Sequence, residues 1–301
     1  MNKVFISTTS FGIVNEPFEV LRKYGISYTL NPYKRKLTEH EIKDFLQDGY
    51  VGLIAGTEPI TKEVLNFASK LKVISRVGAG IDNIDLEASK KLGIKIYNTP
   101  TPVVDAVAEL TIGLIFNALR KITLNDKNIR QGIWKKLMGN LLRNKNIGII
   151  GFGRIGKKVA EILAVLGANV FFYDNIEISS SFTQVDLDHL LRESDIICLH
   201  ASGKEEILTK EKIELVKEGG IIINTARGEL INEQALFEGL KNGKIAWACL
   251  DVFKNEPYNG LLKELENVTL TPHIGSYAKE ARAEMEKQAV LNLLEGLEII
   301  K

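Results

Sequence analysis

The sequence is poor in several features that would point to a specialised class of protein. Only two of its 301 residues are cysteines, Cys198 and Cys249, and both lie in apolar segments that we predict to be buried strands. Buried free thiols behave as small apolar side chains, so neither a disulfide framework nor a zinc site is supported. Net charge is almost absent too, because 39 lysines and arginines oppose 38 acids. We therefore expect no nucleic-acid or membrane partner.

Long apolar runs are also missing. The N-terminal residues lack the apolar core of a signal peptide, and no stretch approaches the roughly 20 apolar residues of a membrane-spanning helix. Hydrophobic residues make up 45% of the chain and charged residues 26%, which is typical of a globular protein. We expect a cytoplasmic α/β protein with two domains and without a metal.

Strand-like and helical segments alternate along the chain, which predicts parallel sheets covered by helices on both faces. The strands are predicted at 4–7, 27–30, 52–55, 73–76, 95–98, 146–150, 170–173, 196–199, 221–224, 246–250 and 268–271, and the main helices at 16–24, 38–47, 103–119, 157–167 and 277–297.

The segment 147–174 has the pattern of a dinucleotide-binding unit, in which a strand, a glycine-rich turn, a helix and a second strand follow one another. Gly151 allows a tight turn, Gly153 lets the backbone approach a pyrophosphate, and Gly156 lets the helix pack closely on the strand. The helix N-terminus offers N–H groups and a positive dipole end. Asp174 ends the second strand, where its carboxylate would accept the ribose hydroxyls and repel a 2′-phosphate. We predict NAD as the cofactor; the alternative is a plain turn with three glycines.

Residues 103–119 are apolar nearly all round, so this helix must be buried between two bodies, either two domains or two subunits. The polar segment 121–146 that follows carries Trp134 and suggests an excursion from the compact body. Together these features favour a homodimer.

Four side chains that suit acid–base and anion chemistry follow predicted strands in the second half of the chain. Because ligands bind at the carboxyl ends of parallel strands, we expect these side chains near the dinucleotide. A histidine can exchange a proton near neutral pH, a carboxylate can orient it, and an arginine can hold a substrate carboxylate by two hydrogen bonds. The alternatives are a solvated arginine, an acid in an ordinary turn and a structural histidine. The residues are Arg227, Asp251, Glu256 and His273.

A glycine-rich turn in the first half follows the strand 73–76. Its residues Arg76, Gly78, Ala79 and Gly80 could form an anion-binding nest of backbone N–H groups for a substrate carboxylate. The alternative is a flexible turn that leads into the next helix.

These segments together resemble the D-isomer-specific 2-hydroxyacid dehydrogenases, and within that family the phosphoglycerate dehydrogenase-like branch. The resemblance covers nearly the whole chain in the family's order. The matching segments are 76–85, 107–111, 148–156, 224–228, 250–253 with 256–257, and 272–275.

The resemblance implies a catalytic set of Arg227, Glu256 and His273. It also implies two doubly wound parallel-sheet domains and a dimer built around the nucleotide domain. The first, flavodoxin-like and substrate-binding, would comprise 1–98 with 276–301, and the second, a Rossmann NAD-binding domain, 99–275. The further residues that the resemblance places against the cofactor are Arg154, Ile155, Thr225, Ala226 and Asp251.

The substrate stays open among 3-phosphoglycerate, hydroxypyruvate, glyoxylate and their relatives. Phosphoglycerate dehydrogenases commonly carry a phosphate-binding arginine where this chain has Ala55, and no charge stands there. A corepressor-like protein that binds NAD(H) with little turnover is the alternative of another class. Relatives that oxidise formate carry glutamine in place of Glu256, which speaks against that activity.

Overall fold

The structure, a computed structural model, describes residues 2–300. Contacts within the chain divide it into two compact units, which we call unit 1 (Met1–Val103 with Ser276–Lys301) and unit 2 (Val104–Gly275). The assignment of substrate and cofactor roles to domains with the predicted boundaries stays a prediction. No helix among the described residues is long and apolar enough to cross a membrane.

Unit 1 contains a five-stranded parallel sheet in the order β2-β1-β3-β4-β5, which is the flavodoxin-like order. Its middle strand β3 is buried along its whole length, as both faces of the sheet are covered. The strands are β1 (Lys3–Ile6), β2 (Ser27–Leu30), β3 (Gly52–Ala55), β4 (Val73–Arg76) and β5 (Lys95–Asn98), and the helices are α1 (Glu16–Lys23), α2 (Glu39–Leu46), α3 (Lys62–Phe67) and α4 (Leu86–Lys91).

Local signals set the helix boundaries in this unit. Thr38 and Glu41 form a reciprocal capping box at the start of α2, and Asp85 caps α4 by accepting from the Ala88 N–H. The last helix, α11 (Lys279–Gly296), packs on β3, β4 and β5. A Cβ on Gly52 would lie 2.8 Å from the Leu293 side chain, so the glycine lets α11 approach the sheet.

Unit 2 contains a seven-stranded parallel sheet in the order β12-β11-β10-β9-β6-β7-β8. The strand order reverses between β6 and β9, as it does in Rossmann folds. The strands are β6 (Asn146–Ile150), β7 (Asn169–Tyr173), β8 (Thr183–Gln184), β9 (Ile196–Leu199), β10 (Gly220–Asn224), β11 (Ile245–Leu250) and β12 (Val268–Leu270), and the helices are α5 (Val103–Arg120, the first residue of which falls in unit 1), α6 (Ile122–Arg130), α7 (Arg154–Val165), α8 (Leu187–Glu193), α9 (Lys210–Leu215) and α10 (Glu233–Asn242).

An apolar cluster lies on each face of the unit 2 sheet. The predicted burial of the two cysteines is confirmed, since Cys198 lies in β9 and Cys249 in β11, both as free thiols. Burial raises the pKa of both thiols, that of Cys249 to about 12. They therefore act as core side chains.

The segment that follows α5 differs from the prediction. Residues 122–130 form the helix α6, which the sequence analysis missed because the segment is polar and no residue of α6 is buried. Beyond it, Trp134 and Met138 are 84% and 87% exposed. On α5, Leu110, Ile112 and Phe116 are only partly buried in this chain.

Candidate active site

The glycine-rich turn of unit 2 has the shape that a dinucleotide requires. Gly151 has φ 91°, and a Cβ there would lie 2.4 Å from the Ala201 backbone nitrogen. A Cβ on Gly156 would lie 2.2 Å from the Gly151 carbonyl oxygen. Only glycine fits at these two positions. A Cβ on Gly153, in contrast, meets no heavy atom within 4 Å, so the turn is open where a pyrophosphate would approach.

The helix α7 begins directly after this turn, with Gly153 as an N-cap that lacks a side-chain hydrogen bond. Arg154 is exposed at the first helical position, and Ile155 is half-buried. Asp174 stands at the end of β7, and its carboxylate accepts a hydrogen bond from the Phe152 N–H at 2.7 Å. The acid therefore lies against the glycine turn, as a group that selects between ribose hydroxyls and a 2′-phosphate should.

A half-buried histidine lies next to this turn. His200 follows β9, and its backbone N–H donates to the Ile150 carbonyl at 2.7 Å. Both nitrogens of its imidazole are buried without a hydrogen-bond partner among the described residues. Burial lowers the pKa of His200 to about 4, so the ring is neutral at physiological pH. The open turn, Asp174 and this unpartnered imidazole fit a bound nicotinamide dinucleotide.

His273 and Glu256 form a pair at the carboxyl edge of the same sheet. The His273 Nδ1 lies 2.9 Å from one oxygen of Glu256 and 3.1 Å from the other. Their side chains are 39% and 30% exposed, so the pair is accessible to a ligand. Glu256 also accepts the Phe253 N–H at 3.1 Å, which anchors the carboxylate. His273 itself has φ 55°, a left-handed conformation that is uncommon for a residue other than glycine.

Asp251 anchors the loop that carries His273. It is 1% exposed and accepts hydrogen bonds from the Thr271 hydroxyl at 2.6 Å and from the N–H groups of Ile274 and Gly275, each at 2.8 Å. Burial raises the pKa of Asp251, and these donors, with the nearby His273, oppose that rise. The role that the structure gives Asp251 is therefore to hold the loop, and its predicted contact with the cofactor stays a prediction.

Arg227 lies in a turn after β10 that Asn224 organises. The Asn224 side chain accepts the Ala226 N–H at 3.0 Å and donates to the Arg227 carbonyl at 2.8 Å. The Arg227 guanidinium is half-buried and donates to the Ala226 carbonyl at 2.7 Å. Thr225 is buried, and its hydroxyl lies 3.1 Å from that of Thr111. Unit 2 thus presents Arg227, the His273–Glu256 pair and the dinucleotide turn at one carboxyl edge.

The turn at the end of β4 is less suited to an anion than its glycines suggest. The Gly78 N–H donates to the Thr99 hydroxyl at 2.7 Å and is not available to a ligand. The Arg76 guanidinium folds over this turn, since a Cβ on Gly78 would lie 1.1 Å from its Nη1, which donates to the Val77 carbonyl at 2.8 Å. The N–H groups of Ala79 and Gly80 and the guanidinium remain the candidates for anion binding.

Two site residues were missed by the sequence analysis. Asn224 was named only as part of a motif, and His200 was not predicted as a site residue. His200 comes directly after β9. The carboxyl-end rule that identified Arg227 and His273 would therefore have found it too.

The fold and the site define a class, that of the nicotinamide-dependent oxidoreductases with a Rossmann domain. A family model described as D-isomer specific 2-hydroxyacid dehydrogenase, NAD binding domain, matches residues 112–275. The chain belongs to this family. Its predicted fold class and its nicotinamide cofactor are confirmed, and the corepressor-like alternative is not favoured.

Similar proteins carry names that differ in the substrate. Glyoxylate reductase of Thermococcus litoralis is 39% identical, with 82% of this chain and 80% of the relative covered. Hydroxypyruvate reductase of Thermotoga maritima is 36% identical, with 95% and 98% covered. D-3-phosphoglycerate dehydrogenase of Methanocaldococcus jannaschii is 39% identical over 82% of this chain, which spans 49% of that enzyme.

Solved structures agree in fold. A protein from Thermus thermophilus superimposes with a TM-score of 0.91 at 33% identity, covering 99% of this chain and 98% of that one. An acyclic imino acid reductase, Bsp5, in complex with NADPH and D-Arg superimposes with a TM-score of 0.89 at 31% identity, covering 99% and 97%.

Proposed function

We propose that the protein reduces a short 2-keto acid to the D-2-hydroxy acid with NADH, with glyoxylate and hydroxypyruvate as the leading substrates. The observation that carries the proposal is the His273–Glu256 pair, joined at 2.9 Å and partly exposed at the same carboxyl edge of the sheet as the dinucleotide turn. Similarity to the glyoxylate and hydroxypyruvate reductases supports the substrate class. A cytoplasmic location is part of this proposal.

In this mechanism the protein binds the keto acid and moves a proton. A nicotinamide dinucleotide held at the turn of Gly151, Gly153 and Gly156 would supply the hydride. Arg227 holds the substrate carboxylate and polarises the carbonyl. The substrate-binding role expected of Arg76, Ala79 and Gly80 stays a separate part of the proposal. Glu256 holds Nδ1 of His273, so that Nε2 can deliver the proton to the carbonyl oxygen. Asp251 keeps the His273 loop in place through its three hydrogen bonds.

We assign the preference for NADH over NADPH to Asp174. Its carboxylate lies against the Phe152 N–H of the turn, where it would accept the ribose hydroxyls and repel a 2′-phosphate. We also propose that the cofactor contacts Arg154, Ile155, Thr225 and Ala226, because the family resemblance places these residues against it. Asp174→Ala is expected to narrow the preference for NADH over NADPH, measured as the ratio of kcat/KM for the two cofactors.

A homodimer is part of the proposal. Trp134, Met138 and Leu141 are exposed and one side of α5 is only partly covered, and we propose that a second copy of the chain buries these apolar side chains. Light scattering at micromolar concentration tests it, and a monomer mass would contradict it.

The activity itself is tested by following NADH absorbance as glyoxylate, hydroxypyruvate, pyruvate and 3-phosphohydroxypyruvate are added in turn. We expect oxidation of NADH with at least one unphosphorylated keto acid and its loss in His273→Ala. The variant His189→Ala is the matched control, because His189 is an exposed histidine on α8 of the same unit. NADH binding without turnover of any keto acid would refute the proposal.

A further inference from the structure

Two loops of unit 2 carry Arg227 and Glu256, two of the residues assigned to the proposed reaction. The first loop leaves β10, contains Arg227 and runs into α10, whose first residue is Glu233. The second leaves β11, contains Glu256 and ends at the short 3-10 helix Leu261–Glu264. No helix or strand covers residues 251–260. Contacts with neighbouring segments are therefore what holds Glu256 in place.

The first contact between the two loops is a close packing of backbone at Gly228. A Cβ on Gly228 would lie 2.0 Å from the Phe253 carbonyl carbon and 2.2 Å from the Lys254 nitrogen. Glycine is therefore required directly after Arg227, because only a residue without a side chain lets the second loop come this close. Phe253 in turn holds Glu256, since its N–H donates to the Glu256 carboxylate at 3.1 Å. The group that anchors this carboxylate thus packs directly on the Arg227 turn.

The second contact is a hydrogen bond between Tyr258 and Glu233. The Tyr258 hydroxyl donates to Glu233 at 2.8 Å and accepts the Leu262 N–H at 3.2 Å. Burial and the hydrogen bond to Glu233 raise the pKa of Tyr258 to about 12, so the hydroxyl stays protonated and can donate. A Cβ on Gly260 would lie 2.5 Å from the Glu233 oxygen, so the chain folds closely over this hydrogen bond. The hydrogen bond therefore ties the second loop to the start of α10.

Tyr258 is connected to Glu256 through Phe253. The rings of Tyr258 and Phe253 stack with their centroids 4.2 Å apart and an angle of 23° between their planes, and Phe253 is 9% exposed. Stacked aromatic rings attract each other and restrict each other's orientation. Because Phe253 also donates its N–H to Glu256, we expect a movement of Tyr258 to disturb the contact between Glu256 and His273.

We propose that the hydrogen bond between Tyr258 and Glu233 positions the Glu256 carboxylate for its contact with the catalytic histidine. Phe253 carries the effect from the tyrosine ring to the carboxylate. Tyr258 and Glu233 are therefore positioning residues, since they act on the reaction through Glu256. The inference rests on the proposed function and deepens it. Without this hydrogen bond the second loop is looser, and a looser Glu256 stabilises the imidazolium form of His273 less.

The decisive variant is Tyr258→Phe, which keeps the ring that stacks on Phe253 and removes the hydroxyl. Its effect is measured by the pH titration of the His273 side chain, followed by NMR of protein that contains 13C-labelled histidine. The chain has four histidines, so the His273 signal is identified by its loss in His273→Ala. We expect the midpoint of this titration to fall by about half a pH unit in Tyr258→Phe. An unchanged midpoint overturns the proposal.

Three further variants separate an effect through Glu256 from a general disturbance of the unit. Glu233→Ala removes the acceptor and should repeat the shift seen in Tyr258→Phe. Glu238→Ala, at an exposed acid of the same helix, is the matched control and should leave the midpoint unchanged. In a Glu256→Gln background, Tyr258→Phe should shift the midpoint by less than about 0.1 unit, and a full shift there refutes the role of Glu256 as the intermediary. Asp251 also acts on the catalytic histidine by its charge, but its hydrogen bonds do not involve Tyr258, so its influence is the same in these variants.

The outcomes distinguish this inference from the proposed function. If the unmodified protein reduces no keto acid, the proposed function fails, and the titration still decides whether Tyr258 positions Glu256. If it does reduce a keto acid, Tyr258→Phe should lower kcat by about threefold to fivefold and leave NADH affinity unchanged. This loss is smaller than the one expected of Glu256→Gln, because the carboxylate is displaced and not removed. A normal kcat in Tyr258→Phe refutes the positioning role alone.

Discussion

The carboxyl edges of the two sheets carry the same kinds of side chain in opposite situations. In unit 1, Glu58 is 1% exposed and bonded to Ser7 and Gly56. In unit 2, Glu256 and His273 are 30% and 39% exposed and bonded to each other. Asp251, only a few residues from Glu256, resembles Glu58 in being buried and bonded mostly to backbone. Exposure therefore separates acids that can take part in proton exchange with a ligand from acids that hold loops in place.

The largest effect should follow the loss of the exposed histidine. His273→Ala is expected to lower kcat by roughly a hundredfold or more, since general acid catalysis contributes at least that much. The midpoint of thermal unfolding should change little, because the ring is 39% exposed. Steady-state kinetics and a melting curve measure both quantities. A large loss of stability, with normal activity in the folded fraction, would show that His273 supports the fold and not catalysis.

Asp251, the buried acid of the same unit, should affect mainly the stability of the protein. Asp251→Ala leaves the Thr271 hydroxyl and the N–H groups of Ile274 and Gly275 without their acceptor. We expect the free energy of unfolding to fall by about 3 kcal/mol, because unsatisfied buried donors are costly. Urea unfolding measures this value, and Asp251→Asn, which keeps one acceptor oxygen, should lose less. Unchanged stability in the alanine variant would mean that the loop does not depend on Asp251.

His200 should make the stability of the protein depend on pH. Because burial lowers the pKa of His200 from 6.5 to about 4, the unfolded chain binds a proton that the folded chain refuses between these values. The stability that neutral His200 contributes is present above pH 6.5 and is lost as the pH falls towards 4. At pH 5 the loss should be about 1–2 kcal/mol relative to pH 7. In His200→Phe the decline should be shallower, as seen by urea unfolding at both pH values. An identical decline in stability in both proteins would mean that a group other than His200 causes the pH dependence.

The smallest of these effects belongs to the partner of the catalytic histidine. Glu256→Gln keeps a hydrogen-bonding group near Nδ1 and removes the charge, so kcat should fall by about tenfold, the equivalent of about 1.4 kcal/mol. NADH affinity should stay near that of the unmodified protein, which fluorescence titration measures. Reduced NADH affinity with normal kcat would show that Glu256 serves the cofactor.

Much of the fold could be predicted because its signals are local. Eleven of the twelve strands were predicted within about a residue, from short apolar runs bounded by turns. The two-residue β8 is too short to leave such a signal, and α6 has no buried residue and hence no apolar period. The glycine turn was recognised because tight turns and close approaches require glycine at set positions.

The sequence by itself determined which residues lie at the carboxyl ends of strands, since the alternation of strands and helices predicts that the strands are parallel. Only the tertiary structure decided how those residues are used. His273 and Glu256 are 17 positions apart and Ser7 and Glu58 are 51 apart, and the return of parallel strands to one edge brings each pair into contact. Burial is likewise a property of everything packed around a side chain. For that reason an acid that anchors a loop, such as Asp251, and an acid that orients a histidine, such as Glu256, are indistinguishable until the chain has folded.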